Sequence, residues 1–143
     1  MATVADILDF SIPDDAAEDS YSFLPVLTGE NYKKSIREAT VHHSISGRFA
    51  IRQGDWKLIL WPGSGGWSYP RDNEITEDMP RFQLYNLKND PSEEHNLINE
   101  NPAKVDELKK LLTRYIQQGR STPGEKQEND SIGFEWEQIN FIN

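Results

Sequence analysis

The sequence predicts an α+β domain, a four-stranded antiparallel sheet packed by one long C-terminal helix and preceded by an N-terminal arm. Three observations predict it. Short alternating segments rich in β-formers follow one another from Ala39 to Trp61, with turn residues between them. A further alternating segment, Phe82–Leu87, is stopped by Asn89-Asp90-Pro91, where proline offers no amide proton and fixes its own φ. An apolar stripe of helical period then runs from Val105 to Ile116. At 143 residues the chain is long enough for one domain with a real core and short for two.

Taken in order, the first element is a short helical pattern on Val4, Ile7, Leu8 and Phe10, ended by Ile12-Pro13-Asp14-Asp15. Phe23, Leu24, Val26 and Leu27 form a second apolar knot around Pro25. Neither is long enough to bury itself, so the two read either as an arm packing on its own domain or as residues that belong against a neighbouring one. Ala39–Ile45 is the first strand, with Ser46-Gly47 as its turn. Arg48–Arg52 alternates strictly, Phe49 and Ile51 on one face and Arg48, Ala50 and Arg52 on the other. Gln53-Gly54-Asp55 is a tight turn with glycine where a positive φ is needed, and Trp56–Trp61 is the third strand.

Pro62-Gly63-Ser64-Gly65-Gly66-Trp67-Ser68-Tyr69-Pro70 and the acidic stretch to Pro80 then make a loop of unusual length for a compact domain. Its glycines and aromatics suit a rim that closes on a small ligand, and equally a mobile surface loop. It is not a phosphate loop, because no Lys-Ser/Thr follows. The long helix has Asn101 as a cap and Pro102 at its first position, and Gly119 ends it in a left-handed conformation. Beyond it, Gly119–Gly124 is turn chemistry and Glu125–Ser131 is polar. Gly133–Trp136 with Ile139, Phe141 and Ile142 either returns as a strand or docks on the body.

Composition excludes several functions. A net charge of −9, from 24 acidic and 15 basic residues, argues against a nucleic-acid partner. No cysteine is present, so disulfides, zinc–thiolate sites and thiol catalysis are out. No apolar run approaches the length of a membrane span, and no signal peptide opens the chain, whose start reads like the middle of a longer protein. Chemistry is sparse. His42 and His43 are neighbours on a strand, point to opposite faces and cannot share a metal ion. His95 lies in an acidic turn, and Asp14-Asp15 and Glu93-Glu94 read as solvated carboxylates. Local chemistry therefore gives a scaffold, a ligand-facing histidine and a Gly/Trp loop, without a complete catalytic centre or a metal site.

Gln83-Leu84-Tyr85-Asn86-Leu87, Asp90-Pro91, Glu93 or Glu94, and Asn96-Leu97 resemble the C-terminal signature of sulfatases of the arylsulfatase A type, in the alkaline-phosphatase-like superfamily. Phe49–Leu58, Glu38–Ser44, Pro62–Trp67 and Gly119–Gly124 are similar to further segments of that family in the same order. The resemblance implies three parts. Residues 1–32 are an arm from the end of the catalytic domain, 33–124 are the C-terminal domain, and 125–143 are a tail.

It also implies that the parent hydrolyses sulfate esters with a formylglycine nucleophile and a calcium ion. Neither is expected here, since the chain has no cysteine and no Ser-X-Pro-X-Arg, and it lacks the Lys, His and Asp segments of the family's large domain. The fragment alone is expected to be inactive. The expected partners are the missing N-terminal catalytic domain and, through the whole enzyme, a sulfated small molecule or glycan. No nucleic acid or membrane is expected, and the bare apolar arm is expected to cause self-association or to leave residues 1–30 disordered. Substrate contact is expected from His42 or His43 with Ser44, Gly65 and Trp67. Two other readings are a non-catalytic binding or assembly module and the C-terminal domain of a related phosphonate or phosphodiester hydrolase. Family members are often periplasmic or secreted; the fragment leaves its compartment open.

Overall fold

The computed structural model describes residues 1–30, 35–129 and 136–142. The chain divides into two compact units, one of Met1–Glu38 with Thr113–Ile132 and one of Ala39–Leu112 with Gly133–Asn143.

The second unit holds the sheet. β1 (Thr40–His43), β2 (Phe49–Gln53), β3 (Trp56–Ile59) and β4 (Gln83–Asn86) form an antiparallel meander in the order β1-β2-β3-β4, as expected. The register places Val41, Ile51, Leu58 and Leu84 in one row across all four strands. Ile51, Leu58 and Leu84 are completely buried, and Leu60 nearly so. Each such side chain stabilises the fold by about 1.5–3 kcal/mol before the entropy of ordering is counted. The covering layer is α3 (Pro102–Gln118), whose stripe residues Leu108, Leu111 and Leu112 are buried. The opposite face carries His42, Arg52, Lys57, Gln83 and Tyr85. This segregation follows from the period-2 alternation of strands against the 3.6-residue period of the helix.

The turns follow the glycines. Gly54 closes the two-residue β2–β3 connection at φ 57, and Gly47 turns β1 into β2 at φ 74. After β4, Asp90 folds the chain by accepting the backbone N–H of Glu94 and His95 at 3.1 and 2.9 Å. Those donors hold its carboxyl below the usual range, the His95 N–H first. Asn96 then finishes the edge of β4: its Oδ1 accepts from Leu84 N and Ile98 N, and Leu97 N donates to Leu84 O. The residues of the signature thus brace a turn and the approach to α3.

The end of the chain docks on the sheet as a 3-10 turn, Glu137–Ile142, where a strand was the other expectation; Gly133, Phe134 and Glu135 lie outside the described residues. Gln138 is 3% exposed, and both ends of its amide are used. Oε1 accepts from Phe49 N at 2.6 Å and Nε2 donates to Gly47 O at 2.8 Å. Trp136 packs on Phe49 with ring centroids 5.1 Å apart, and Phe141 meets Phe82 edge-on.

The first unit contains α1 (Ala2–Ile7), α2 (Leu24–Leu27) and the end of α3. Gly119, at φ 64, terminates α3 with paired bonds, its own N–H to Ile116 O and Arg120 N–H to Tyr115 O. Arg120 is buried and gathers the segment around it. It donates to Asp14 O, Glu125 O and Thr122 Oγ1, and lies 3.1 Å from the Asp14 carboxylate. Thr122 and Ser121 in turn bond Glu18 O and Asp19 Oδ1. Val4, Ile7, Leu8, Phe10, Phe23, Val26 and Leu27 remain exposed, while Leu24 is half-buried.

Candidate functional site

The long loop after β3 leans on the β1–β2 turn, and this contact draws two of the expected site residues together. Gly65 sits at φ 62 so close to the turn that a Cβ there would lie 2.5 Å from Ser44 Oγ and 2.9 Å from Arg48 Cγ. Only a residue without a side chain fits both the conformation and the space. Ser46 N donates to Gly65 O at 3.2 Å across the same contact. Ser44 Oγ also accepts from Arg48 N, so the serine hydroxyl lies at the centre of the turn.

The loop is braced from within. Ser64 N donates to Pro70 O, and Ser64 Oγ donates to Ser68 O. Gln83 on β4 donates from Nε2 to Trp61 O and Gly63 O at 2.7 and 3.0 Å, and its Oε1 accepts the Tyr85 hydroxyl. Burial, then the charges of Glu93 and Asp90, push the Tyr85 phenol up, which keeps it a donor. Arg48 stacks 3.3 Å above the Trp61 ring and donates to Asp72 at 2.9 Å, while Trp61 Nε1 donates to the other Asp72 oxygen. The bond from Arg48 holds the Asp72 carboxyl below its ordinary value, with Trp61 assisting.

Trp67, in the same loop, is 81% exposed. His43 shares a face with Phe49, and His42 shares the opposite face with Ala50, as adjacency on a strand requires. The His43 Nδ1 lies 2.8 Å from Ser44 O; a carbonyl only accepts, so Nδ1 carries the proton and Nε2 is left to a ligand. His42 is held below its ordinary value by burial first and by Lys57 second, against the pull of Glu93. Neutral His42 offers hydrogen bonds without charge.

Arg48, Trp61, Asp72 and Gln83 were not singled out by the sequence as site residues. Arg48 and Gln83 read as strand positions, and Asp72 was one acid among several in a loop. Among the described residues, no group of three or more His, Asp or Glu is arranged to hold a metal ion. The same residues contain no helix long and apolar enough to cross a membrane.

No family model matches the chain. It is 36% identical over 111 residues to an N-acetylgalactosamine-6-O-sulfatase of Bacteroides thetaiotaomicron, a match covering 78% of this chain and 21% of that protein. Among solved structures, a protein from the metabolism of multiple glycosaminoglycans by Bacteroides thetaiotaomicron superposes with a TM-score of 0.61 at 34% identity. It covers 79% of this chain and 23% of its own. A 2-O GAG sulfatase follows with a TM-score of 0.54 at 26% identity, over 80% and 23% of the two chains. A four-stranded sheet covered by a helix, carrying the Leu84–Leu97 signature, is the C-terminal domain of a sulfatase. This chain is such a fragment, and it spans about a fifth of the length of the curated relative it matches.

Proposed function

We propose that this chain serves an enzyme that hydrolyses a sulfate ester on a sugar, supplying scaffold and one wall of the substrate cleft. The reading is supported first by the identity to a sugar sulfatase and then by the fixed contact of Gly65 with the Ser44 turn. On this reading His43, Ser44 beside Gly65 and the exposed Trp67 of the same loop contribute to the wall, with His42 on the opposite face of the strand. Sugar recognition needs this mixture, directional hydrogen-bonding groups beside an aromatic surface.

The chain's own residues do not fit the two groups the family uses for chemistry. It has no cysteine and no Ser-X-Pro-X-Arg from which formylglycine could form, and no suitable ligand cluster for calcium among its described residues. Both groups are assigned to a catalytic domain outside this chain, and residues 1–32 are the run leading from it. The exposed side chains of Phe10, Phe23 and Leu27 are then the surface which that domain covers.

The test is substitution of His42 and His43 by alanine in the full-length enzyme. Loss of a charge-assisted or neutral hydrogen bond to substrate raises KM by roughly tenfold for the residue that faces the cleft. Unchanged KM and specificity in both variants would make the histidines structural. The isolated chain is expected to leave an aryl sulfate intact, and measurable turnover would overturn the assignment of the chemistry to another domain.

A further inference from the structure

A second cleft lies beside the β3 exit, closed on its other side by the C-terminal 3-10 turn. It has a volume of about 350 Å³ and is lined by Trp61, Pro62, Arg81, Glu137, Gln138 and Asn140. That size falls within the range of small-molecule sites, at the end suited to a single sugar ring. Its walls are set before any ligand arrives. Gln138 is bonded at both ends of its amide, Trp136 is stacked on Phe49, and Lys109 caps Phe141 at 4.4 Å.

Arg81 supplies the charge. Its Nη2 donates to Glu137 O at 3.0 Å and to Asn140 Oδ1 at 2.5 Å, two neutral acceptors. Arg48, Arg114 and Arg120 each have a carboxylate partner; Arg81 has none among the described residues. Its guanidinium is therefore oriented without a direct ion pair, with the Glu137 side chain the acid that shares its cleft, and its remaining N–H groups keep the planar fork that recognises carboxylates and sulfates. Trp61 adds an aromatic wall, anchored by its bond to Asp72. It also leads directly into the loop bearing Gly65 and Trp67.

We propose that this cleft is a subsite for an acidic sugar unit, one bearing a carboxylate or a sulfate, with Arg81 as the anion-reading residue. The ligand class rests on the sugar-sulfatase reading; the cleft and its charge do not.

The experiment is a titration of the isotopically labelled 143-residue chain by NMR. Glucuronic acid and N-acetylgalactosamine 6-sulfate are the acidic probes, and N-acetylgalactosamine is the neutral control. Saturable shifts are expected at the Trp61 indole N–H and the Asn140 and Gln138 side-chain amides, with the neutral sugar binding at least about tenfold more weakly. Arg81→Gln should weaken the acidic probes by about tenfold or more, and Glu137→Gln should tighten them by removing a nearby negative charge.

Should Arg81→Gln fail to fold, Glu137→Gln and the loss of affinity with added salt decide the matter. Absence of saturable shifts, equal binding of the neutral sugar, or indifference to both substitutions would overturn the proposal. These signals are separate from the KM of the His42 and His43 variants. A failed wall assignment with intact Trp61 shifts, or the reverse, therefore shows which reading has fallen.

Discussion

His42 and His43 are neighbours in sequence, yet the sheet lies between their side chains, and they answer to different surroundings. Burial and Lys57 lower the His42 pKa below its ordinary 6.5. In the unfolded chain that depression is gone, so as pH falls below about 6.5 the unfolded state takes up the proton first and stability drops. Above 6.5 both states are neutral and the contribution is complete. Denaturant unfolding at a series of pH values should show this slope in the native chain and a flatter one in His42→Gln. An imidazole NMR titration midpoint at or above 6.5 would refute it.

Gly65 makes a second prediction. Alanine there meets both a positive φ and the Ser44 hydroxyl, so Gly65→Ala should destabilise the sheet unit by about 1–3 kcal/mol and shift the Ser46 amide resonance. Of this region, the strand that carries the histidines and the length of the glycine-rich loop were legible, because strand alternation and glycine content are local signals. The Arg48–Trp61–Asp72 cluster was not. Its members are joined across 11 and 24 residues, and no spacing marks such a pairing in advance.

Among elements, the edge strand β4 shows how much one side chain can carry. Asn96 supplies the acceptor that Leu84 N and Ile98 N share, and its Nδ2 lies 3.4 Å from Phe82 O. Asn96→Ala leaves those amides without their partner and should cost about 1–3 kcal/mol, read as a lower denaturation midpoint with unchanged m. Equal stability would mean that water replaces the asparagine without loss. The strands, the hairpin turns and α3 were all readable in order, because alternation, glycine at positive φ and a three-to-four spacing are written within each segment. The C-terminal segment was only half readable. Its aromatic residues announced docking, but Gln138 reaches Phe49 across 89 residues, and a lone glutamine in a polar tail carries no sign of burial. Arg120 was equally hidden, since glycine, proline and serine around it describe a turn and say nothing of what the turn encloses.

At the scale of the whole molecule, the apolar side chains of α1 and α2 set solution behaviour. Ile7, Leu8, Phe10 and Leu27 are each more than half exposed, a clustering that soluble monomers rarely leave uncovered. The chain should therefore self-associate with rising concentration. Phe10→Ser together with Leu27→Ser should return it to a monomer in sedimentation velocity, whereas a concentration-independent monomer in the native chain would disprove the idea. The two edges of the sheet differ as well. β4 has its outer groups occupied by Asn96 and Leu97, whereas the outer side of β1 has no backbone partner among the described residues. An engineer wishing to splice a peptide into this fold by strand addition thus has one open seam, along Thr40–His43. Whatever is laid there would run directly past both histidines.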